Sequence, residues 1–187
     1  MATNATPESQ RPPGIDSPVE ESPRRLGQAL AALRIFVGVI LFANGMSKLT
    51  GWQDVSIGWY KSFLIDRPLT RSILEDLGKS SEVPLIGRIA NDLILPNWGF
   101  FQWAITAFEL GVGALLIVGL ASRGAALAAL GMQLFLALLY FSANRWTFEQ
   151  PHEYVPLVIL AIVASGRVWG LDGRLLATRP DLRRWPF

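Results

Sequence analysis

From residue 26 to residue 49 apolar positions follow one another with few interruptions, and Arg34 is the one charge before Lys48. A helix crossing a bilayer needs about 20 such residues, so this stretch predicts a first span over about 28–49. Residues 99–141 are again almost continuously apolar, broken at Ser122-Arg123. One helix of that length would be about twice the bilayer thickness at ~1.5 Å rise per residue. Two spans, about 99–120 and 123–142, joined by a tight turn around Gly119–Arg123, fit instead. After a polar turn a shorter fourth span covers about 154–171, and Asp172-Gly173-Arg174 returns the chain to water. The region between the first two spans, residues 50–98, is polar but periodic. Ile73, Leu74 and Leu77 recur at helical spacing, as do Leu85, Ile86, Ile89, Leu93 and Ile94, with Pro84 as a start signal and Pro96 as a stop. Short amphipathic helices are expected there, on the membrane surface or folded over the mouth of the bundle. The fold class that follows is all-α: an integral membrane four-helix bundle with a partly helical extracytoplasmic loop between helices 1 and 2.

Both ends of the chain differ from this material. Residues 1–25 are rich in Pro, Ser, Glu and Arg and predict a disordered cytoplasmic tail. The first apolar run begins too late, and lacks the small-residue cleavage pattern, for a signal peptide. The membrane domain is bounded at 26–176, and residues 177–187 form a basic cytoplasmic tail. Arg24, Arg25, Arg123, Arg167, Arg174, Arg179, Arg183 and Arg184 fall at one side of this arrangement. Lys61, Arg67, Arg71, Lys79, Arg88 and Arg145 are spread over the longer other side, among local acids. Trp52, Trp59, Trp98, Trp103 and Trp146 also fall on that other side, near the interface where indoles settle. Together these place both termini in the cytoplasm, with the protein multi-pass in the cell (inner) membrane.

Composition agrees and narrows the chemistry. Of 187 residues 51% are apolar and 17% charged, and a soluble domain usually carries nearer a quarter charged. The net charge of +2 and the lack of a basic stripe interleaved with aromatics argue against nucleic acid. With no cysteine the chain carries no disulfide, thiolate metal site or cysteine-ligated iron–sulfur cluster. With His152 as its one histidine it cannot hold a bis-histidine haem, and no metal-ligand cluster, phosphate loop or dinucleotide fingerprint is present.

The polar residues inside the spans are therefore the candidate site. A charge in hydrocarbon costs at least about 2.5–3.5 kcal/mol, so it faces a partner or a cavity. On the first helix Arg34, Gly38, Leu41, Gly45 and Lys48 share one stripe, and on the second Gln102, Thr106, Glu109, Gly113 and Leu120 share another. Small residues mixed with polar ones mark close helix approach. An Arg34–Glu109 ion pair is expected, either lining a quinone or proton pathway or fixing helix register. Lys48 is expected to snorkel to the interface, Asn44 lies beside it, and Gln133 serves as an interhelical donor. His152, in the outer turn, is either solvated or adjacent to quinone.

The run Leu33-Arg34-Ile-Phe-Val-Gly38-Val-Ile-Leu-Phe-Ala-Asn44-Gly45-Met-Ser-Lys48-Leu49 resembles the opening of DoxX-type membrane proteins. Phe108-Glu109-Leu-Gly-Val-Gly113 through Gly119-Leu-Ala-Ser-Arg123 is similar to their second helix and turn, and Gly170-Leu-Asp172-Gly-Arg174 to their closing motif. The long outer region resembles members related to DoxD and described as a subunit of thiosulfate:quinone oxidoreductase. The resemblance implies a membrane subunit of a quinone-linked oxidoreductase, with other membrane or periplasmic subunits as partners. Glu109 and Arg34 would then be catalytic, and Asn44, Lys48 and His152 would be quinone-binding. A structural subunit without chemistry is the alternative, favoured by a chain with so few cofactor ligands. A small-solute transporter is a third, weakened by the lack of an internal repeat.

Overall fold

The computed structural model describes residues 23–143, 148–179 and Pro186. The expected tail over residues 1–25 lies outside the described residues except for Pro23–Arg25, which form the first turn of α1. Most of the expected tail over 177–187, together with Arg145 and Trp146, also lies outside them.

The chain is mostly helical. Helix α1 (Pro23–Thr50) is followed by strands β1 (Asp54–Ile57) and β2 (Tyr60–Phe63), then helices α2 (Arg67–Ser80) and α3 (Pro84–Arg88). A π-helical turn (Ile89–Ile94) leads into α4 (Trp98–Val118), after which come α5 (Ser122–Leu139), α6 (Pro151–Ile162) and α7 (Leu171–Thr178). Three of these, α1, α4 and α5, are long and apolar enough to cross a membrane. Much of their outer surface is apolar and open: Phe36 is 62% exposed, and Val39, Ile40, Leu127 and Leu134 are also exposed, as expected of side chains facing lipid rather than water.

Helices α1 and α4 meet along glycines. A Cβ on Gly113 would lie 2.6 Å from the Phe42 backbone nitrogen, one on Gly38 2.9 Å from that of Ile117, and one on Gly45 2.9 Å from that of Leu110. Only glycine lets the two backbones come this close. Behind this seam Val37, Leu41, Val112 and Leu116 pack with Ala125, Ala126 and Ala129 of α5 and Leu157 and Leu160 of α6. A second, smaller core lies at the other end of α5. There Leu74 of α2, Ile86 of α3, and Ala90 and Ile94 of the π-helical turn close over Leu139. The amphipathic segment thus folds over the bundle mouth. Asp66 caps α2 by accepting from the Leu69 amide at 2.9 Å, as the sequence Asp-Arg-Pro favours.

Two elements depart from expectation. The first is in the outer region, expected as partly helical, where the part between α1 and α2 to which no element was assigned holds two strands. Residues 54–57 and 60–63 form an antiparallel hairpin, Asp54 opposite Phe63 and Ile57 opposite Tyr60, turning at Gly58 with φ +62°. Its β-branched and aromatic residues on either side of a glycine are a strand pattern. The second departure is the fourth apolar segment, expected as one helix over 154–171. Helix α6 has 12 residues and ends at Ile162, with Val163 extended, and residues 165–167 form a single 3-10 turn. The carbonyls of Ser165, Val168 and Trp169 face Arg34 instead of continuing the helical ladder.

Candidate functional site

Asn44 and Lys48 are one helical turn apart on α1, and the glycine seam brings that face against Glu109 of α4. Lys48 Nζ lies 2.9 Å from Glu109 Oε2, with the two side chains 3% and 9% exposed. The contact is an ion pair between two nearly buried groups. Lys48 also donates to the Ile65 carbonyl at 2.9 Å, and the Ile65 amide donates to Asn44 Oδ1 at 3.2 Å. Both backbone groups of Ile65 are therefore held by α1, which fixes the return of the hairpin into α2. Ser47, next to Lys48 in the chain, is fully buried with its hydroxyl unpartnered. Chemically, this end of the bundle offers a cationic donor and a carboxylate inside a membrane-spanning pair of helices.

Arg34 is not part of this cluster, and the expected Arg34–Glu109 pair is not formed. The seam fixes an antiparallel register: Gly38 faces Ile117, Phe42 faces Gly113, and Gly45 faces Leu110. In that register Glu109 stands level with Met46, whereas Arg34 stands level with Ala121, at the α4–α5 turn. Arg34 is fully buried there and donates to the carbonyls of Ser165 at 2.7 Å, Trp169 at 3.1 Å and Val168 at 3.2 Å. Gly119 and Gly170 flank its guanidinium, and a Cβ on either would come within 3 Å of it.

Asp172, also fully buried, completes this second polar cluster by accepting from the Ala121 and Ser122 amides at 2.7 and 3.0 Å. It caps α5 from 50 residues away and supplies negative charge near Arg34. Ser122 Oγ accepts from the Gly166 amide at 3.1 Å. A Cβ on Gly166 would collide with the Asp172 carboxylate. The cluster ties the start of α5 to the loop after α6, with Arg34 as its centre.

Lys48 likewise departs from expectation: it is 3% exposed and paired, not extended to the interface. His152 is exposed, its ring 3.1 Å from the Phe148 carbonyl, and no contact joins it to Lys48 or Glu109. Gln133 is partly buried on α5, with its side-chain carbonyl unpartnered. Sequence reasoning missed Asp172 and Ile65 as site residues. The one available signal for Asp172 was that α5 begins after Ala121, which has no capping side chain, so the exposed amides needed an acceptor from elsewhere. Nothing in the sequence marked Ile65, which takes part through its backbone. Among the described residues no group of three or more His, Asp and Glu side chains is placed to hold a metal ion.

The family model described as DoxX matches residues 29–143. That span includes Arg34, Asn44, Lys48 and Glu109 and ends before Asp172. No curated protein and no solved structure matches the chain.

Proposed function

Because the chain belongs to the DoxX family, we propose that it is a membrane subunit working beside a quinone-linked oxidoreductase, with the Lys48–Glu109 pair as the place where quinone is met. The single observation that carries this reading is that pair: two opposite charges on helices of membrane-spanning length, almost wholly out of solvent. Intramembrane ionisable groups are costly and usually serve ion, proton or ligand pathways. Quinone, when bound, would carry electrons and protons. Lys48 would donate to a quinone oxygen, Glu109 would hold or release a proton, and Asn44 would keep Lys48's helix turn locked to Ile65. Arg34 leaves the catalytic set and becomes a positioning residue at the far end, and His152 becomes a surface residue of the outer turn.

In this reading α6 and the loop that follows it make a fourth crossing beside α1, α4 and α5. The termini are cytoplasmic, the membrane is the inner membrane, and the hairpin with α2 and α3 faces a periplasmic or membrane partner. Which donor feeds the partner, thiosulfate included, stays a property of the partner.

A structural subunit without chemistry is the second reading. It is supported by a specific observation: Lys48 and Asn44 both bond the chain's own backbone at Ile65. The two separate on gentle purification from membranes followed by mass spectrometry. The oxidoreductase reading expects redox-active partner chains together with quinone. Partner chains without quinone would favour the structural role, and a chain alone and quinone-free would sink the oxidoreductase reading.

A further inference from the structure

The turn between α4 and α5 marks a boundary between apolar and polar environments, since Val118 ends one helix of membrane-spanning length and Ser122 opens the next. Beside that turn an open cleft of about 570 Å³ is lined by Val118, Arg167, Trp169, Leu171 and Arg174. Its two arginines spring from touching backbones: a Cβ on Gly173 would collide with the Arg167 carbonyl oxygen. Both are exposed, and among the described residues neither side chain has an acidic partner. Asp172, the acid that lies between them in sequence, is fully buried and bonded to the start of α5. Among the described residues, then, the cleft is cationic with no acid to neutralise it.

Its other wall is apolar. Trp169 has φ +51°, a left-handed conformation rare for a bulky residue, and its side chain is 62% exposed. Val118 and Leu171 are 44% and 40% exposed beside it. Tryptophan at a membrane boundary, apolar surface on the membrane side, and two guanidinium forks are together the recognition chemistry of a lipid phosphate.

We propose that this cleft binds an anionic phospholipid, with Arg167 and Arg174 donating to its phosphate and Trp169, Leu171 and Val118 lining its glycerol and upper acyl chains. The site is at the end of the bundle remote from Lys48. The two lie at opposite ends of α1, since Lys48 is 14 residues, about 21 Å at ~1.5 Å per residue, from Arg34, so lipid occupancy and quinone binding are separable. A single bound lipid would cover the strained Trp169 and the unpaired charges at once.

The full chain in mild detergent, supplied with equimolar phosphatidylglycerol and phosphatidylcholine, tests this by native mass spectrometry. The wild type is expected to retain phosphatidylglycerol preferentially. R167Q/R174Q should lose about tenfold of that retention, roughly the factor of one charge-assisted bond, and R88Q, at the other end, should lose none. Should the double variant fold poorly, R174Q alone is expected to show a loss of several-fold at an unchanged melting temperature. Equal retention of the two lipids, undiminished retention in a folded R167Q/R174Q or R174Q protein, or displacement of the lipid by an equal concentration of inorganic phosphate would each overturn the assignment.

Discussion

Asp172 carries more of the structure than its place in a short loop suggests. Its carboxylate accepts the first amides of α5, and its charge lies near a fully buried Arg34 whose bonds otherwise go to neutral carbonyls. Asp172→Ala removes the cap and leaves the arginine without a nearby acid. Losing a charge-assisted cap and stranding buried donors costs about 2–4 kcal/mol. The expected result is a clearly lower melting temperature in detergent, with Asp172→Asn intermediate because it keeps one acceptor oxygen. An Asp172→Ala protein as stable as the wild type would mean that the capping bonds contribute little. At this scale the sequence was legible in part. The cost of a charge in hydrocarbon singled out Arg34 and Glu109, and both are buried. Their partners were not legible, because a helical stripe gives the face of a residue and not its height against the facing helix. The glycine contacts supply that height, and they move Arg34 to the α4–α5 turn and Lys48 onto Glu109.

Among elements, the α1–α4 seam decides whether the candidate site exists at all. Gly113 has no room for a methyl group, whereas Gly111, two residues earlier on the same helix, has nothing within 4 Å of where a Cβ would stand. Gly113→Ala must push α1 away from α4, and overpacking of this kind costs about 1–3 kcal/mol. Gly111→Ala is expected to leave stability within about 0.5 kcal/mol of the wild type. Melting the two variants side by side checks this, and equal stability would show that the seam yields without cost. Long apolar runs made α1, α4 and α5 readable from sequence, since few structures other than a helix satisfy backbone groups in a membrane. The hairpin was missed because only residues 73–94 of the outer region were read for period, although Val55, Ile57, Tyr60 and Phe63 flank Gly58 in a strand pattern. The early end of α6 was hidden for another reason. Residues 163–170 were read as a continuation of the helix, whereas the Ser165 carbonyl accepts from Arg34, a partner 131 residues away in sequence.

Taken whole, the molecule has two polar clusters at opposite ends of an apolar bundle, and they do different work. The Arg34–Asp172 cluster bonds to the backbone of three elements and locks the helix ends together, with Arg34 Nε and the Ser165 hydroxyl left unpartnered. At the other end, the Lys48–Glu109 pair fixes the outer segment through Ile65 and leaves the carboxylate 9% exposed and the neighbouring Ser47 hydroxyl unpartnered. The proposed quinone site rests on Lys48 and Glu109 because they form the ion pair between two helices of membrane-spanning length, in which Arg34 has no part. Removing one member of a buried pair strands the other, so the informative variant removes both charges and keeps the volume, Lys48→Met with Glu109→Leu. The most direct measurement is the quinone retained per chain after gentle extraction from membranes, for the wild type and for this double variant at matched thermal stability. The account predicts quinone with the wild type and a fall of about tenfold or more in the variant, equivalent to about 1.4 kcal/mol of binding. Equal quinone in both proteins would contradict it and leave the pair as a helix fastener.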